Sequence, residues 1–232
     1  MKFYFDYFYN PVYDFLVTQL SPYQRLQQAS IGKLELTEND KVLCAGVGTG
    51  NEVIRILEAS PHISITGIDS SKTALNKVQK KVRKQGKSIL TNLMDIQDMK
   101  FEDASFDKVL CVHVIDFVPD YTKAVSEIIR VLKPGGKFAI TFPSGKEDFS
   151  FGVSVVGNAI RDHIKVRKFG KVFLIMVSTL LGTFVYFPFL FRKARRYYRK
   201  AEVEELFSRT SKNNFRIEDF TIYNDFIVFG SK

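Results

Sequence analysis

Tryptophan is absent from the 232 residues, and there are only two cysteines and three histidines. Two cysteines and three scattered histidines cannot supply zinc-ligand spacing, so no resident metal is expected. Cys44 and Cys111 both fall on apolar runs read as neighbouring strands. A disulfide between them is the alternative to two buried thiols, and thiols are expected because cytosolic cysteines rarely pair. No Gly-x-x-x-x-Gly-Lys-Ser/Thr sequence occurs, which excludes a P-loop grip on a triphosphate. Residues 1–9 hold one lysine, an acid at Asp6 and no small-residue cleavage site, so no secretory signal is read there and the cytoplasm is the expected compartment.

What is present is the material of one globular domain, 45% hydrophobic and 25% charged, with 22 phenylalanines. Its most informative stretch is Val42-Leu43-Cys44-Ala45-Gly46-Val47-Gly48-Thr49-Gly50, an apolar strand running into three alternate glycines. Such a turn lets backbone approach a ligand at the carboxyl edge of a sheet. Asp69, 19 residues past Gly50, ends a second apolar run and can accept hydrogen bonds from ribose hydroxyls. The third glycine falls one place early for a dinucleotide fingerprint, with Asn51 where glycine is wanted, which counts against NAD.

The pattern then alternates. Strands are read at 41–45, 63–68, 88–94, 108–114 and 137–142. Between them come helices at 51–60, with Val53, Ile54 and Leu57 inward, at 73–85 and at 122–132, the last stopped by Lys133-Pro134-Gly135-Gly136. This alternation predicts an α/β, doubly wound, mostly parallel sheet. A helix over 200–208 leads to strands at 215–223 and 226–230 joined by Asn224-Asp225, an antiparallel closing hairpin. Before the core, Pro11 and Pro22 divide residues 4–36 into two short helices. The cluster Phe3, Tyr4, Phe5, Tyr7, Phe8 and Tyr9 either caps a pocket or packs on the core. One domain is expected, with 1–40 a helical cap, 41–145 the core, 146–200 an insertion after strand five, and 201–232 the last helix and hairpin.

Four segments make the chain resemble the class I S-adenosylmethionine-dependent methyltransferases, particularly the branch acting on quinones and small molecules. They are Val42 to Gly50, Gly67-Ile68-Asp69-Ser70-Ser71, Asp95 to Ile115, and Val131 to Ile140. The resemblance implies a Rossmann-like, seven-stranded sheet and S-adenosyl-L-methionine as cofactor. The residues it implies for binding are Cys44, Ala45, Gly46, Gly48, Gly50, Asp69, Ser70, Asp95, Ile96 and His113. One departure stands out: the family commonly has an acid two places before the first glycine, near the cofactor ammonium, and here that place holds Cys44. A thiol is a weak partner for a cation, so a backbone carbonyl or water is the substitute, or binding is weakened.

The resemblance implies in-line methyl transfer with an acceptor lone pair about 3 Å from the methyl carbon, so positioning carries much of the rate. Residues just after strand four face the methyl group in this family. His113 is the first candidate for a base that takes the acceptor's proton, and Asp116 the second. The acceptor is read as small and lipophilic: a quinone precursor, an isoprenoid or a phospholipid headgroup. A methyltransferase-like binding module without turnover is the alternative, followed by an RNA enzyme. Arg195, Arg196, Tyr197, Tyr198 and Arg199 interleave cations with aromatics as a nucleic-acid surface does. The chain nevertheless lacks Asn/Asp-Pro-Pro-Tyr, and Pro-Cys, after strand four, which argues against nucleic acid.

Charge is concentrated in the insertion. Residues 161–200 hold eleven Lys or Arg and one acid, Asp162, a net +10, whereas the remainder holds 23 basic and 24 acidic residues, a net −1. Between the basic clusters, Val172 to Phe191 carries no formal charge over twenty residues, interrupted by Ser178, Thr179, Gly182, Thr183 and Pro188. Length nominates a transmembrane helix, but basic flanks on both sides oppose a single span. The remaining readings are a lid over the acceptor pocket, or an interfacial anchor against anionic lipid at the inner face of a membrane. Oligomeric state is not readable from the sequence.

Overall fold

The computed structural model describes residues 14–15, 17–60, 62–145, 149–165, 169–190, 197–210 and 214–232. The side chains of 149–152 and 182–190 lie outside that description, as do the aromatic cluster of 3–9 and the basic residues Arg195 and Arg196.

The core elements are β1 (Lys41–Ala45), α2 (Asn51–Ala59), β2 (Ser64–Asp69), α3 (Lys72–Lys84), β3 (Leu90–Leu93), β4 (Phe106–Cys111), α4 (Tyr121–Val131) and β5 (Leu132–Pro143), preceded by α1 (Ser21–Gly32). After them come α5 (Phe149–Lys165), α6 (Phe169–Leu190), α7 (Lys200–Thr210), β6 (Phe215–Phe220) and β7 (Asp225–Ser231). The seven strands form one sheet in the order β3-β2-β1-β4-β5-β7-β6. The first five are parallel, and β7 runs antiparallel to both β5 and β6. The expected fold class is therefore the observed one. The chain reverses its direction of travel across the sheet between β1 and β4, which is where an open α/β sheet leaves a crevice beyond its strand ends.

Strand periodicity of two assigns each face. Leu43, Ala45, Val109, Cys111, Phe138 and Ile140 point to one side and pack with Val125 and Ile128 of α4 and Val203 and Phe207 of α7. Val42, Cys44, Leu110 and Ala139 point to the other, onto Val53 and Ile56 of α2 and Val78 and Val82 of α3. A smaller cluster seats Tyr23 and Leu26 of α1 against Ile227 of β7.

Several local expectations change. In α2 the fully buried set is Val53, Ile56 and Leu57, while Ile54 sits on the flank, because a helix beginning at Asn51 turns positions 53, 56 and 57 inward together. The stop signal 133–136 lies inside β5, which starts directly after α4 and pairs with β4 through a register shift between Phe106 and Lys108. The hairpin turn is longer than two residues. β6 ends at Phe220, a 3-10 turn covers Thr221–Tyr223, and Asn224 takes φ +49 before Asp225 opens β7. The uncharged run is not broken at its hydroxyls. Ser178 and Thr179 donate to the Ile175 carbonyl at 2.9 and 2.8 Å, so α6 continues through them.

The insertion forms two helices packed on each other, with α5 also against α1. Ala159 and Ile175 are fully buried between them. Asp162, the one acid of the basic segment, accepts from Ser21 Oγ at 2.8 Å and pairs with Arg25 Nη2 at 2.5 Å, fastening α5 to α1. The outer face stays apolar: Phe169, Phe173, Met176 and Leu180 are each 62–66% exposed, at helical spacing along one stripe of α6. Among the described residues no helix is long and apolar enough to cross a membrane.

Tyr198 belongs to the core rather than to a nucleic-acid surface. It is 2% exposed, stands edge-on to Tyr121 and Phe142, and donates its hydroxyl to the Ile115 carbonyl at 3.2 Å. A base cannot stack on a ring so enclosed. We expect Tyr198→Ala to lower unfolding stability in urea by about 3 kcal/mol, and Tyr198→Phe by about 1 kcal/mol.

Candidate active site

The site begins where β1 ends. The Ile68 carbonyl accepts from both Gly46 N–H and Val47 N–H, at 2.9 and 2.8 Å, bending the chain off the sheet edge. Gly46, Gly48 and Gly50 all take positive φ, +76°, +51° and +84°. Their reasons differ. A Cβ on Gly46 would come within 2.2 Å of Val114 Cγ2, and one on Gly50 within 2.2 Å of Val78 Cγ2, so both are required by packing. A Cβ on Gly48 would meet nothing within 4 Å. Its backbone faces open space, a cradle left free of side chains.

Asp69, at the end of β2, is aimed at that cradle. Its Oδ2 accepts from Gly48 N–H and its Oδ1 from Ser71 N–H, both at 2.8 Å. Two backbone donors fix the orientation of the carboxylate. Ser70 is exposed beside it. Asp95 is exposed past the end of β3, its Oδ1 accepting from Gln97 N–H at 2.8 Å. Ile96 is 5% exposed and packs in the core with Leu43, Ile68 and Met99, so it leaves little surface for a base.

On the other side of β1 stand the residues that follow β4. His113 takes φ +53, a left-handed conformation costing about 1 kcal/mol, and its N–H donates to Thr141 Oγ1 of β5 at 2.9 Å. Its imidazole Nε2 lies 2.9 Å from Oδ2 of Asp225, with side chains 8% and 0% exposed. The contact is at ion-pair distance but off the hydrogen-bond axis. Tyr23 and Tyr223 each stand edge-on to the ring, at centroid distances of 5.2 and 5.3 Å. Asp116 is buried in a 3-10 turn over Ile115–Phe117, where its charge helps hold the Cys111 thiol neutral.

Cys44 and Cys111 are free and buried, so no disulfide joins them. Burial pushes both thiols up, and for Cys44 the neighbouring Glu52 adds to the effect. Glu52, in the first turn of α2, lines a small cavity with Cys44, Ala45, Gly46, Val47, Leu110 and Val112. Burial raises its carboxyl above the usual range, opposed by a hydrogen bond from its own N–H and by Gln27 of α1, whose Nε2 donates to Oε1 at 2.7 Å. The segment before α1 is tied over the glycine turn as well. Asp14 Oδ1 accepts from Thr49 Oγ1 at 2.6 Å and from Lys81 Nζ at 2.7 Å, and Lys81 also reaches Asn51 Oδ1 at 2.8 Å.

The geometry thus brings together Cys44, the glycines, Asp69, Ser70 and His113 at one sheet edge, with Asp95 at its rim and Ile96 and Asp116 set into the protein. Nothing in the sequence singles out Asp225, Gln27 or Asp14, which reach the site only through folding. Glu52 carried a signal, an acid two places past the last glycine, that a motif search ignores.

Comparisons with known proteins bear on the family and the fold. Residues 43–140 match the family model described as a methyltransferase domain. The chain is 32% identical over 127 residues to an uncharacterized methyltransferase, YdaC, of Bacillus subtilis, spanning 55% of this chain and 69% of that protein. It is 31% identical over 131 residues to a phosphatidylethanolamine N-methyltransferase of Cereibacter sphaeroides, spanning 56% of this chain and 62% of that protein. A solved structure of a candidate S-adenosyl-L-methionine-dependent methyltransferase from Methanococcus maripaludis superposes with a TM-score of 0.63, at 19% identity, over 96% of this chain and 90% of that one. The chain belongs to the class I S-adenosylmethionine-dependent methyltransferase family. The residues present fit that cofactor: an open glycine turn, an acid fixed by two backbone donors that suits a ribose diol, and a half-buried acid, Glu52, at the far side of the turn.

The two kinds of glycine should separate by experiment. Gly48→Ala is expected to weaken S-adenosylhomocysteine at least tenfold in calorimetry while lowering stability by only about 1 kcal/mol, the cost of a left-handed alanine. Gly50→Ala is expected to lose about 2 kcal/mol or more in urea unfolding, because its methyl also collides with Val78.

Proposed function

We propose that this single-domain methyltransferase moves a methyl group to a small lipophilic acceptor, with His113 as the base. The observation that carries this reading is the buried pair of His113 and Asp225 beside the glycine turn, walled by Tyr23 and Tyr223. The cofactor supplies a methyl on a sulfonium, a leaving group that departs neutral. Asp69 and Ser70 would hold the ribose, with Asp95 toward the adenine and the glycine turn offering its backbone, and α1, which reaches the site through Tyr23 and Gln27, would help to exclude water. With Nε2 of His113 facing Asp225, its Nδ1 takes the acceptor's proton as the acceptor's electron pair forms the new bond. Asp225 then stabilises the imidazolium, as a carboxylate behind a catalytic histidine does. The aromatic walls of Tyr23 and Tyr223 favour a flat or apolar acceptor. The phosphatidylethanolamine-methylating relative favours the same class.

Turnover with isotopically labelled cofactor, followed by mass spectrometry of extracted lipids and quinones, tests the assignment. We expect His113→Ala to lower kcat by about 100-fold or more and leave the S-adenosylhomocysteine dissociation constant within a few fold. Unchanged turnover would remove His113 from the chemistry and bring forward Asp116.

We further propose that the insertion lies on the inner face of a membrane, where the stripe Phe169, Phe173, Met176 and Leu180 enters the interface. Arg161, Lys165 and Lys171 flank it and meet anionic headgroups, each worth on the order of 1 kcal/mol. A lid that touches lipid would admit a lipophilic acceptor without passage through water. Cosedimentation should show binding to anionic vesicles, little binding to neutral ones, and partial release at high salt. Phe169→Ser with Phe173→Ser should reduce the salt-resistant fraction. Absence of binding to either vesicle would make the insertion a lid alone.

A further inference from the structure

The cofactor's far end is the remaining problem of the site. S-adenosylmethionine is asymmetric: a neutral adenosine with a diol at one end, and at the other an amino acid whose α-ammonium is cationic. Asp69, at the end of β2, answers the diol. The opposite end must then lie across β1 toward β4, where the chain changes direction across the sheet. From β1 itself no acid reaches that region, because the strand places Cys44 there, a buried and neutral thiol.

One carboxyl does line it. Glu52 comes from the first turn of α2, after the glycine turn rather than before it, and borders the same cavity as Cys44, Ala45, Gly46, Leu110 and Val112. Its position is built. Gln27 of α1 donates to Oε1 at 2.7 Å, and Gln27 is itself 2% exposed. One hydrogen bond from an amide, and the helix N-terminus, orient the group without neutralising it. A carboxyl held in a low-dielectric cavity is costly to ionise until a cation joins it. Resting on the cofactor assignment above, we infer that Glu52 receives the α-ammonium of S-adenosylmethionine, taking from the following helix the part that an acid at position 44 would play.

Two ligands distinguish this from a structural role. S-adenosylhomocysteine keeps the α-amino acid, and 5′-methylthioadenosine lacks it while sharing the adenosine. In calorimetry, Glu52→Gln, an isosteric change that still accepts from Gln27, should weaken S-adenosylhomocysteine by at least tenfold. It should alter 5′-methylthioadenosine by less than about twofold. Equal weakening of both ligands would mean that Glu52 merely supports the glycine turn, and unchanged S-adenosylhomocysteine affinity would also overturn the inference. Should the wild type bind neither ligand, the cofactor assignment fails instead, which is a different result.

A second measurement needs no variant. In the wild type, S-adenosylhomocysteine affinity should rise with pH as Glu52 ionises above the usual carboxylate range, and 5′-methylthioadenosine affinity should not. The charged or titratable groups facing Glu52 are His113 and Lys81, whose positive charge favours its ionisation, and the neutral Cys44 thiol. A rise confined to the amino-acid ligand, and lost in Glu52→Gln, assigns it to Glu52. Parallel pH profiles for the two would overturn the inference.

Discussion

The Ile68 carbonyl accepts two backbone donors at once, from Gly46 and Val47, and the rest of the site is arranged around that junction. It turns the chain off the end of β1 while keeping it against β2, so Gly48 N–H falls opposite the Asp69 carboxylate. Side chains would obstruct such a path at Gly46 and Gly50, where Val114 and Val78 fill the space a Cβ would need. Those two valines come from the segment after β4 and from α3. The turn is therefore clamped by the segment after β4 and by α3, and its geometry is inherited from core packing.

The parts of this arrangement visible in the sequence are those formed by contiguous residues. Val42 to Gly50 announces a strand and turn through alternation and glycine spacing, and Asp69 follows from its place at the end of the next apolar run. Strand and helix order was equally legible, because each element buries a periodic face and the βα alternation allows few topologies. Asp225 was not legible. It lies 112 positions from His113 in the sequence, and the two meet only because β7 returns antiparallel beside β5. Its position depends on Asn224 adopting φ +49, and a plain two-residue hairpin would have placed the acid in the turn. Ile54 and Tyr198 show the same limit in reverse. Each fits a local pattern, but the first turns to a helix flank, and the second is drawn into the core by Tyr121, Phe142 and the Ile115 carbonyl.

Glu52 links stability to binding with opposite signs. Its carboxyl is raised in the folded protein, so between the unfolded value and the raised one the native state holds the proton that the unfolded chain has released. Stability from this group is then fully present below the unfolded carboxylate range and declines as pH rises through the folded value. A cation received by Glu52, as inferred above, would favour the ionised form that folding disfavours.

The fastenings of α1 set a condition on traffic through the site. Tyr23 and Gln27 on this helix reach His113 and Glu52. The segment before it is held by Asp14 to Thr49 and Lys81, and α1 itself by Arg25 to Asp162 of α5. Any outward movement of α1 and the segment before it must part these links. Two of them are ion pairs, the exposed one of Arg25 with Asp162 and the partly buried one of Lys81 with Asp14, and dissolved salt weakens the exposed pair more. The ease of displacing α1 is thereby tied to ionic strength.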